Sequence, residues 1–172
     1  MPNIIHGGGT AGGWSEADIT RFIGRTDPNP KLPDNLKAIG SGTFYWYKLL
    51  SLEKLPAGLT TIGEYAFANC PELALTSLPE GLTSIGEHAF SSCSKLALTS
   101  LPEGLTSILY EAFRNCVGLK TLSIGSAIQT IISDACHYCT NLTSITINRA
   151  PNSVTGAPWG ATNATITWTG TT

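Results

Sequence analysis

A 23-residue unit repeats through the middle of this chain, and it limits the possible folds more than any other feature. The dipeptide Leu-Pro opens four successive units, which begin at Leu32, Leu55, Leu78 and Leu101. A fifth unit begins at Ile124 in the same register, and the five run to Thr146 without an insertion. A repeat of this length is typical of a solenoid, in which each coil packs only against its neighbours.

Several positions of the unit carry the same kind of apolar residue in nearly every copy. Position 13, counted from the Leu of Leu-Pro, holds Phe44, Phe67, Phe90, Phe113 and then Cys136. Position 16 holds Tyr47 and then Cys70, Cys93, Cys116 and Cys139. One coil cannot bury these residues alone, so we expect the coils to stack and each position to form an apolar ladder. An odd total of five cysteines, four of them at one interior position, favours buried thiols over disulfides.

The pattern L-P-x-G-L-T-S-I-G-x-x-A-F-x-x-C-x-x-L resembles the BspA-type leucine-rich repeat of bacterial surface proteins, over residues Leu32 to Ile147. The resemblance implies a leucine-rich repeat solenoid of five 23-residue coils with short parallel strands on one face. By similarity the strands fall near Ala74–Leu78, Ala97–Leu101, Lys120–Ile124 and Thr143–Ile147. The earlier units place Leu75 and Leu98 one residue before the matching apolar residues of the last two units, which predicts a shifted pleat or a bulge.

Both ends of the repeat region are expected to carry caps, because a bare terminal coil would expose its apolar section. Residues 1–31 combine a flexible glycine-rich leader with a predicted helix over about Glu16–Ile23, which has capping residues at its start. Residues 147–172 form the predicted C-terminal β cap, in which Ala164–Trp168 alternates like a strand. The chain therefore divides into a leader with a helical cap, five repeats over 32–146, and a β cap.

Composition excludes several classes of function. A chain of 172 residues with 42% hydrophobic content can bury one substantial core, which predicts a single domain. A net charge of −2 gives no footprint for nucleic acid or an anionic membrane surface. No apolar run is long enough for membrane insertion. The N-terminus has neither a basic start nor an apolar run, so we expect no signal peptide.

Short motifs that suggest chemistry all have simpler interpretations. The G-x-G-x-x-G spacing over Gly7–Gly12 lacks the preceding strand and the βαβ unit of a dinucleotide site. The C-x-x-C of Cys136 and Cys139 lacks two further ligands for structural zinc. Glu80 and Glu103 lie near the spacing of a glycosidase pair only because the repeat places them so. We therefore expect no catalytic residues, no metal, no cofactor and no enzymatic activity.

Positions 10, 11, 14, 15, 17 and 18 vary from unit to unit, and aromatic and basic residues gather there. We call eight of them the ridge: Tyr45, Trp46, Tyr65, His88, Tyr110, Arg114, His137 and Tyr138. Tyr, Trp and Arg dominate binding hot spots, so one hypothesis is that the ridge contacts a partner. The alternative is neutral variation on a solvated turn.

The sequence therefore favours a non-catalytic recognition module that binds a protein or a glycan. The resemblance implies a bacterial surface or phage-tail setting, since Ile19–Thr26 and Ala157–Trp168 are similar to the ends of prophage-encoded leucine-rich repeat proteins. The alternative is a structural spacer or an assembly subunit that self-associates through its ends or side faces. Neither the ligand nor the localisation follows from the residues themselves.

Overall fold

The computed structural model describes residues 26–170, which wind into a solenoid of stacked coils joined by parallel strands. The strands of this part of the chain are β1 Ala38–Ile39, β2 Thr61–Ile62, β3 Ser84–Ile85, β4 Ser107–Ile108, β5 Thr121–Ile124, β6 Thr130–Ile131, β7 Ser144–Ile147 and β8 Thr165–Trp168. Residues 26–170 contain no helix, and so none that could cross a membrane. The helix predicted at Glu16–Ile23 lies outside the described residues.

Two-residue strands join the coils along one face. Strands β1, β2 and β3 pair in parallel, and β4 pairs with β6, each pairing joining residues one repeat apart. The buried member of each strand is the isoleucine at position 8, and its Thr, Ser or Ala neighbour is more exposed. Because one residue points inward and one outward, two residues suffice to join a coil to its neighbour.

A second face carries longer strands, but only in the C-terminal coils. Strands β5, β7 and β8 form a parallel sheet in which Leu122 faces Ile145 and Ile145 faces Ile166. The strands predicted near Lys120–Ile124 and Thr143–Ile147 are thus confirmed, each to within one residue. These segments alternate buried and less buried residues, as a sheet with one face on the core requires.

The strands predicted at Ala74–Leu78 and Ala97–Leu101 are wrong. That stretch of the N-terminal coils contains no strand, and a single bridge between Ser100 and Ser123 connects it to β5. Leu75 and Leu98 are buried, although they lie one residue earlier than Leu122 and Ile145 do in their units. A shift of one residue reverses the face of every side chain in a pleat, so these segments cannot pair regularly with β5.

The interior is built from ladders of identical side chains, as the repeat predicts. The rings of Phe44, Phe67, Phe90 and Phe113 stack in one column, fully buried. Successive ring centroids lie 5.1, 5.3 and 5.6 Å apart with interplanar angles of 6°, 6° and 1°. Backbone hydrogen bonds run beside the column: Phe67 N–H donates to the Ala89 carbonyl at 2.8 Å. The coils are therefore held in register even where they form no strand.

The cysteines of position 16 form a second ladder. Their side chains pack in the apolar core, and their thiols also donate hydrogen bonds to backbone carbonyls. All five cysteines are buried and reduced. The Cys93 thiol donates to the Phe67 carbonyl at 3.0 Å, and Cys116 donates to the Phe90 carbonyl at the same distance. Each thiol thus satisfies a carbonyl oxygen of the preceding coil. Burial raises the pKa of both thiols well above the ordinary value.

The buried thiols predict a loss of stability in alkaline solution. Below the ordinary thiol pKa of 9.0 both the folded and unfolded states hold these protons. Above it the unfolded chain ionises while Cys93 and Cys116 stay neutral in the fold, so the free energy of unfolding falls by up to about 1.4 kcal/mol per pH unit for each group. Urea unfolding at pH 8, 9 and 10 measures this slope. The variant Cys116→Ala should show a shallower fall; an unchanged slope would contradict the assignment.

The C-terminal segment is more than a cap, because it completes a sixth coil. The strand predicted over Ala164–Trp168 is confirmed as β8. Cys136 N–H donates to the Trp159 carbonyl at 2.9 Å, the bond that Phe113 N–H makes to Ala135 one coil earlier. The buried Trp159 ring meets Trp168 edge to face, with centroids 6.4 Å apart. The aromatic residues of this coil thereby cover the end of the core.

Candidate functional site

The ridge forms a line of touching side chains along one edge of the stack. At its N-terminal end the Trp46 and Tyr45 rings meet edge to face, with centroids 6.3 Å apart. Tyr45 meets Tyr65 in the same manner at 5.8 Å. Tyr65 stacks flat on His88 at 4.5 Å, and His88 meets the edge of Tyr110 at 5.4 Å. Five rings from four successive units thus make one continuous aromatic row.

The C-terminal end of the ridge is a second, smaller cluster. The His137 and Tyr138 rings stack with centroids 3.8 Å apart and an interplanar angle of 17°. The Arg114 guanidinium lies 5.3 Å from the centre of the Tyr138 ring. A matching cation lies at the other end of the ridge, where Lys48 Nζ is 5.2 Å from the Trp46 ring centre. Both terminal aromatic rings are therefore held by cation–π contacts.

Glu111 joins the two parts of the ridge, and the sequence analysis missed it. One oxygen of its carboxylate lies 3.3 Å from His88 Nδ1 and 3.3 Å from Arg114 Nε. Glu111 shares position 11 with Tyr65 and His88, so reading down that position would have found it. Its central place means that a single carboxylate orients basic side chains from two different coils.

Glu111 also acts on the neighbouring phenol. Its negative charge raises the pKa of Tyr110, and a hydrogen bond between the two side chains adds to the effect. The Arg114 Nε is buried, and among residues 26–170 it has no partner in hydrogen-bond geometry, although the Glu111 oxygen is close. The centre of the ridge is thus a polar cluster of His88, Glu111 and Arg114, with aromatic rings on either side.

The backbone beneath the ridge is left-handed at two positions in each of the first four units and at one position in the fifth. At position 11 the φ angles are 53° for Tyr65, 53° for His88 and 50° for Glu111. At position 15 they are 58° for Trp46 and 60° for Tyr138. The same positions elsewhere in the stack hold Gly42, Asn69, Ser92 and Asn115, also at positive φ. The left-handed region costs a residue with a bulky side chain roughly 1–2 kcal/mol, and Gly and Asn adopt it most readily.

The exposed aromatic surface of the described chain is concentrated on the ridge. Trp46 and Tyr138 are the most exposed of its rings, at 51% and 53%, and Tyr45, Tyr65 and Tyr110 are also exposed. Apart from these five, Leu49 is the other large hydrophobic residue with high exposure in residues 26–170. A contiguous patch of this kind is typical of an interaction site.

Among residues 26–170, the remaining candidate residues do not form a metal-binding group. Glu80 and Glu103 are exposed on turns. Cys136 and Cys139 are buried at the end of the thiol ladder. Within the part of the chain that the structure describes, no three His, Cys, Asp or Glu side chains cluster as metal ligands would.

Solved structures of bacterial leucine-rich repeat proteins are similar to this chain. The T. pallidum leucine-rich repeat protein is 29% identical with a TM-score of 0.65, over 81% of this chain and 67% of that one. A leucine-rich cell surface protein from Faecalibacterium prausnitzii is 21% identical with a TM-score of 0.47, over 82% of this chain and 53% of that one. A leucine-rich repeat protein from Bacteroides ovatus is 22% identical with a TM-score of 0.45, over 81% and 49%.

Comparison with curated proteins gives no significant match. The sequence model of the BspA type leucine-rich repeat region matches residues 28–143 in six copies, one more than the five units counted in the sequence. This match covers well over half of the chain. The stacked coils and parallel strands of the structure agree with it. The chain therefore belongs to the BspA-type leucine-rich repeat family and is a repeat scaffold.

Proposed function

We propose that this protein is a non-catalytic recognition module and that the ridge is its binding surface for a protein or a glycan. The main support for this proposal is that large aromatic side chains of the ridge stand on left-handed backbone positions, which such residues rarely adopt. Trp46 and Tyr138 occupy left-handed positions that Asn69 and Asn115 fill in other coils. The backbone conformation favours the asparagines, so the aromatic residues are retained against a local preference.

Exposure strengthens this argument. About half of the surface of Trp46 and of Tyr138 remains accessible, so each ring keeps a large apolar area that a partner can bury. Neutral variation on a solvated turn would be expected to drift toward Gly or Asn at these positions, because those residues are least strained there. Retention of large aromatic side chains is the pattern expected of a contact surface.

The side chains of the ridge are also ordered by contacts with one another, without a partner. Tyr65 is stacked on His88, and Arg114 lies over Tyr138, so their side-chain conformations are already restricted. Ordering a mobile side chain on binding costs about 0.5–1.5 kcal/mol, and a side chain that is already ordered avoids much of that cost. A bacterial cell surface or a phage particle is the setting that we propose for this interaction, on the basis of the family resemblance.

Trp46→Asn and Tyr138→Asn provide the test, because they should separate stability from binding. Relief of the left-handed strain, about 1–2 kcal/mol, offsets the lost cation–π contact of about 0.5–1 kcal/mol and part of the lost apolar burial of the ring. Each variant should therefore lose at most about 2 kcal/mol in urea unfolding. In the double variant, binding of the labelled protein to an array of glycans and to a panel of purified extracellular proteins should be lost.

Thr99→Ala is the matched control, since Thr99 is exposed but lies outside the ridge positions. It should leave both stability and array binding unchanged. Binding by the double variant at the level of the parent chain would contradict the proposal, as would a parent chain that binds nothing on either array. A loss of several kcal/mol in either single variant would show that the aromatic residues serve the fold.

One observation favours the alternative, an assembly subunit. Strand β8 lies at the end of the sheet order β5-β7-β8, and Thr165–Trp168 contains no charged residue and no proline. Such an edge can pair with a strand of another chain. Light scattering distinguishes the two functions: ordered oligomers favour assembly, and a single monomeric species favours recognition.

A further inference from the structure

The fifth unit differs from the others in carrying two thiols on one turn. Cys136 stands where four units have phenylalanine, so position 13 and position 16 both hold cysteine only there. The turn is tight, since Cys139 N–H donates to the Cys136 carbonyl at 3.2 Å. The ends of such a four-residue turn have Cα atoms within about 7 Å, and disulfides form at Cα separations of about 4.4–6.8 Å. The backbone thus places the two cysteines at disulfide distance.

The two thiols of this turn have different surroundings. The Cys139 thiol donates to the Phe113 carbonyl at 2.9 Å. The interaction between the two side chains lowers the pKa of Cys139 and raises that of Cys136. Burial, by contrast, raises the pKa values of Cys93 and Cys116. Cys139 is therefore the thiol of this group that ionises most readily, with Cys136 beside it as a protonated neighbour.

A cavity beside the turn reaches Cys139. It has a volume of about 160 Å³ and is lined by His137, Tyr138, Cys139, Thr140, Gly160 and Thr162. A water molecule occupies about 30 Å³ of liquid, so hydrogen peroxide fits easily. Cys93 and Cys116 lie deeper in the stack and have no exposed surface.

We propose that Cys136 and Cys139 form a site of reversible oxidation by a hydroperoxide. The Cys139 thiolate attacks a peroxide oxygen, the O–O bond breaks, and the leaving oxygen takes up a proton to depart as water or an alcohol. Cys139 becomes a sulfenic acid. The Cys136 thiol then attacks the Cys139 sulfur, a disulfide bond forms and water leaves. Two electrons pass from the two thiols to the peroxide, and a dithiol reductant reverses the change.

The oxidised turn would enclose part of the ridge. His137 and Tyr138 lie between the two cysteines, and Tyr138 has a left-handed φ of 60°. A disulfide would close a small ring around these two residues and fix their backbone. The oxidation itself does not depend on whether the ridge binds a partner, so the two proposals can fail separately.

Peptide mass spectrometry of the peroxide-treated protein tests the site. The folded chain is exposed to hydrogen peroxide, unfolded, and alkylated with iodoacetamide. We expect two of the five thiols to resist alkylation, with both cysteines in one peptide that has lost two hydrogen atoms. Treatment with dithiothreitol should restore all five. Alkylation of all five thiols after peroxide, or a disulfide between Cys93 and Cys116, would overturn the proposal.

Two variants check the order of the steps. In Cys136→Ser or Cys136→Ala the disulfide cannot form, and dimedone should label Cys139 as the sulfenic acid. Absence of that label in both folded variants would show that Cys139 is not the attacking thiol. Cys93→Ala is the control, and it should still form the Cys136–Cys139 disulfide at the rate of the parent chain.

Discussion

Replacing Phe90 with alanine should lower the free energy of unfolding by about 3–5 kcal/mol. The ring is fully buried between Phe67 and Phe113, and it lies nearly parallel to both. Its removal leaves a cavity that the coils cannot close, because Phe90 N–H remains bonded to the Ala112 carbonyl at 2.9 Å. Urea unfolding of the variant and the parent chain gives the difference directly.

Phe113→Ala is the comparison that identifies stacking as the cause. Phe113 has a ring neighbour on one side only, since Cys136 follows it in the column. It should therefore lose less stability than Phe90 does. A Phe90→Ala loss below about 1 kcal/mol would mean that the column of rings is not packed as the structure describes.

Gly86→Ala should cost about 3 kcal/mol, the upper end of the range for overpacking. A Cβ atom on Gly86 would lie 2.5 Å from the Glu64 nitrogen and 2.6 Å from the carbonyl carbon of Gly63. Both atoms belong to the backbone of the preceding coil, so no side chain can move aside. The whole coil must shift, and the adjacent pairing of β2 with β3 is strained. Thermal and urea unfolding measure the loss.

Gly81→Ala is a matched control within the same unit. A Cβ atom at that position would meet the Leu59 carbonyl oxygen at 3.7 Å, which is ordinary contact. Alanine also restricts the unfolded chain, so stability should stay the same or rise by about 0.4–1 kcal/mol. Equal losses at both glycines would indicate a general effect of glycine replacement, and the close approach of the coils would not be the reason.

The repeat register was enough to predict the ladders of Phe and Cys, because burial repeats with the same period as the sequence. It could not predict the strands at position 8. A two-residue strand has no alternating pattern to detect, and the family resemblance placed strands around Leu75 and Leu98 instead. The hydrogen bonds from the thiols to the Phe67 and Phe90 carbonyls also have no signature in the sequence.

The ridge could be predicted only in part. Variation from unit to unit identified eight side chains, and the structure places them in two clusters along one edge. The left-handed backbone at Trp46, Tyr65 and Tyr138 could not be foreseen, since aromatic residues rarely adopt it. Glu111 was missed because a lone carboxylate among aromatic residues reads as a solvated turn charge. Whether the ridge binds a partner stays a prediction.

The separation of the ridge from the core has a practical consequence for engineering. Positions 10, 11 and 15 are exposed or half-buried in every unit, whereas the phenylalanine column and the thiol ladder lie at positions 13 and 16. Position 14 is buried at Ala68 and Ser91, so a combinatorial library would randomise positions 10, 11 and 15 and leave the interior untouched, provided that the left-handed sites are weighted toward small polar residues. The scaffold could then be reprogrammed coil by coil, as synthetic repeat proteins are when they are selected for new targets.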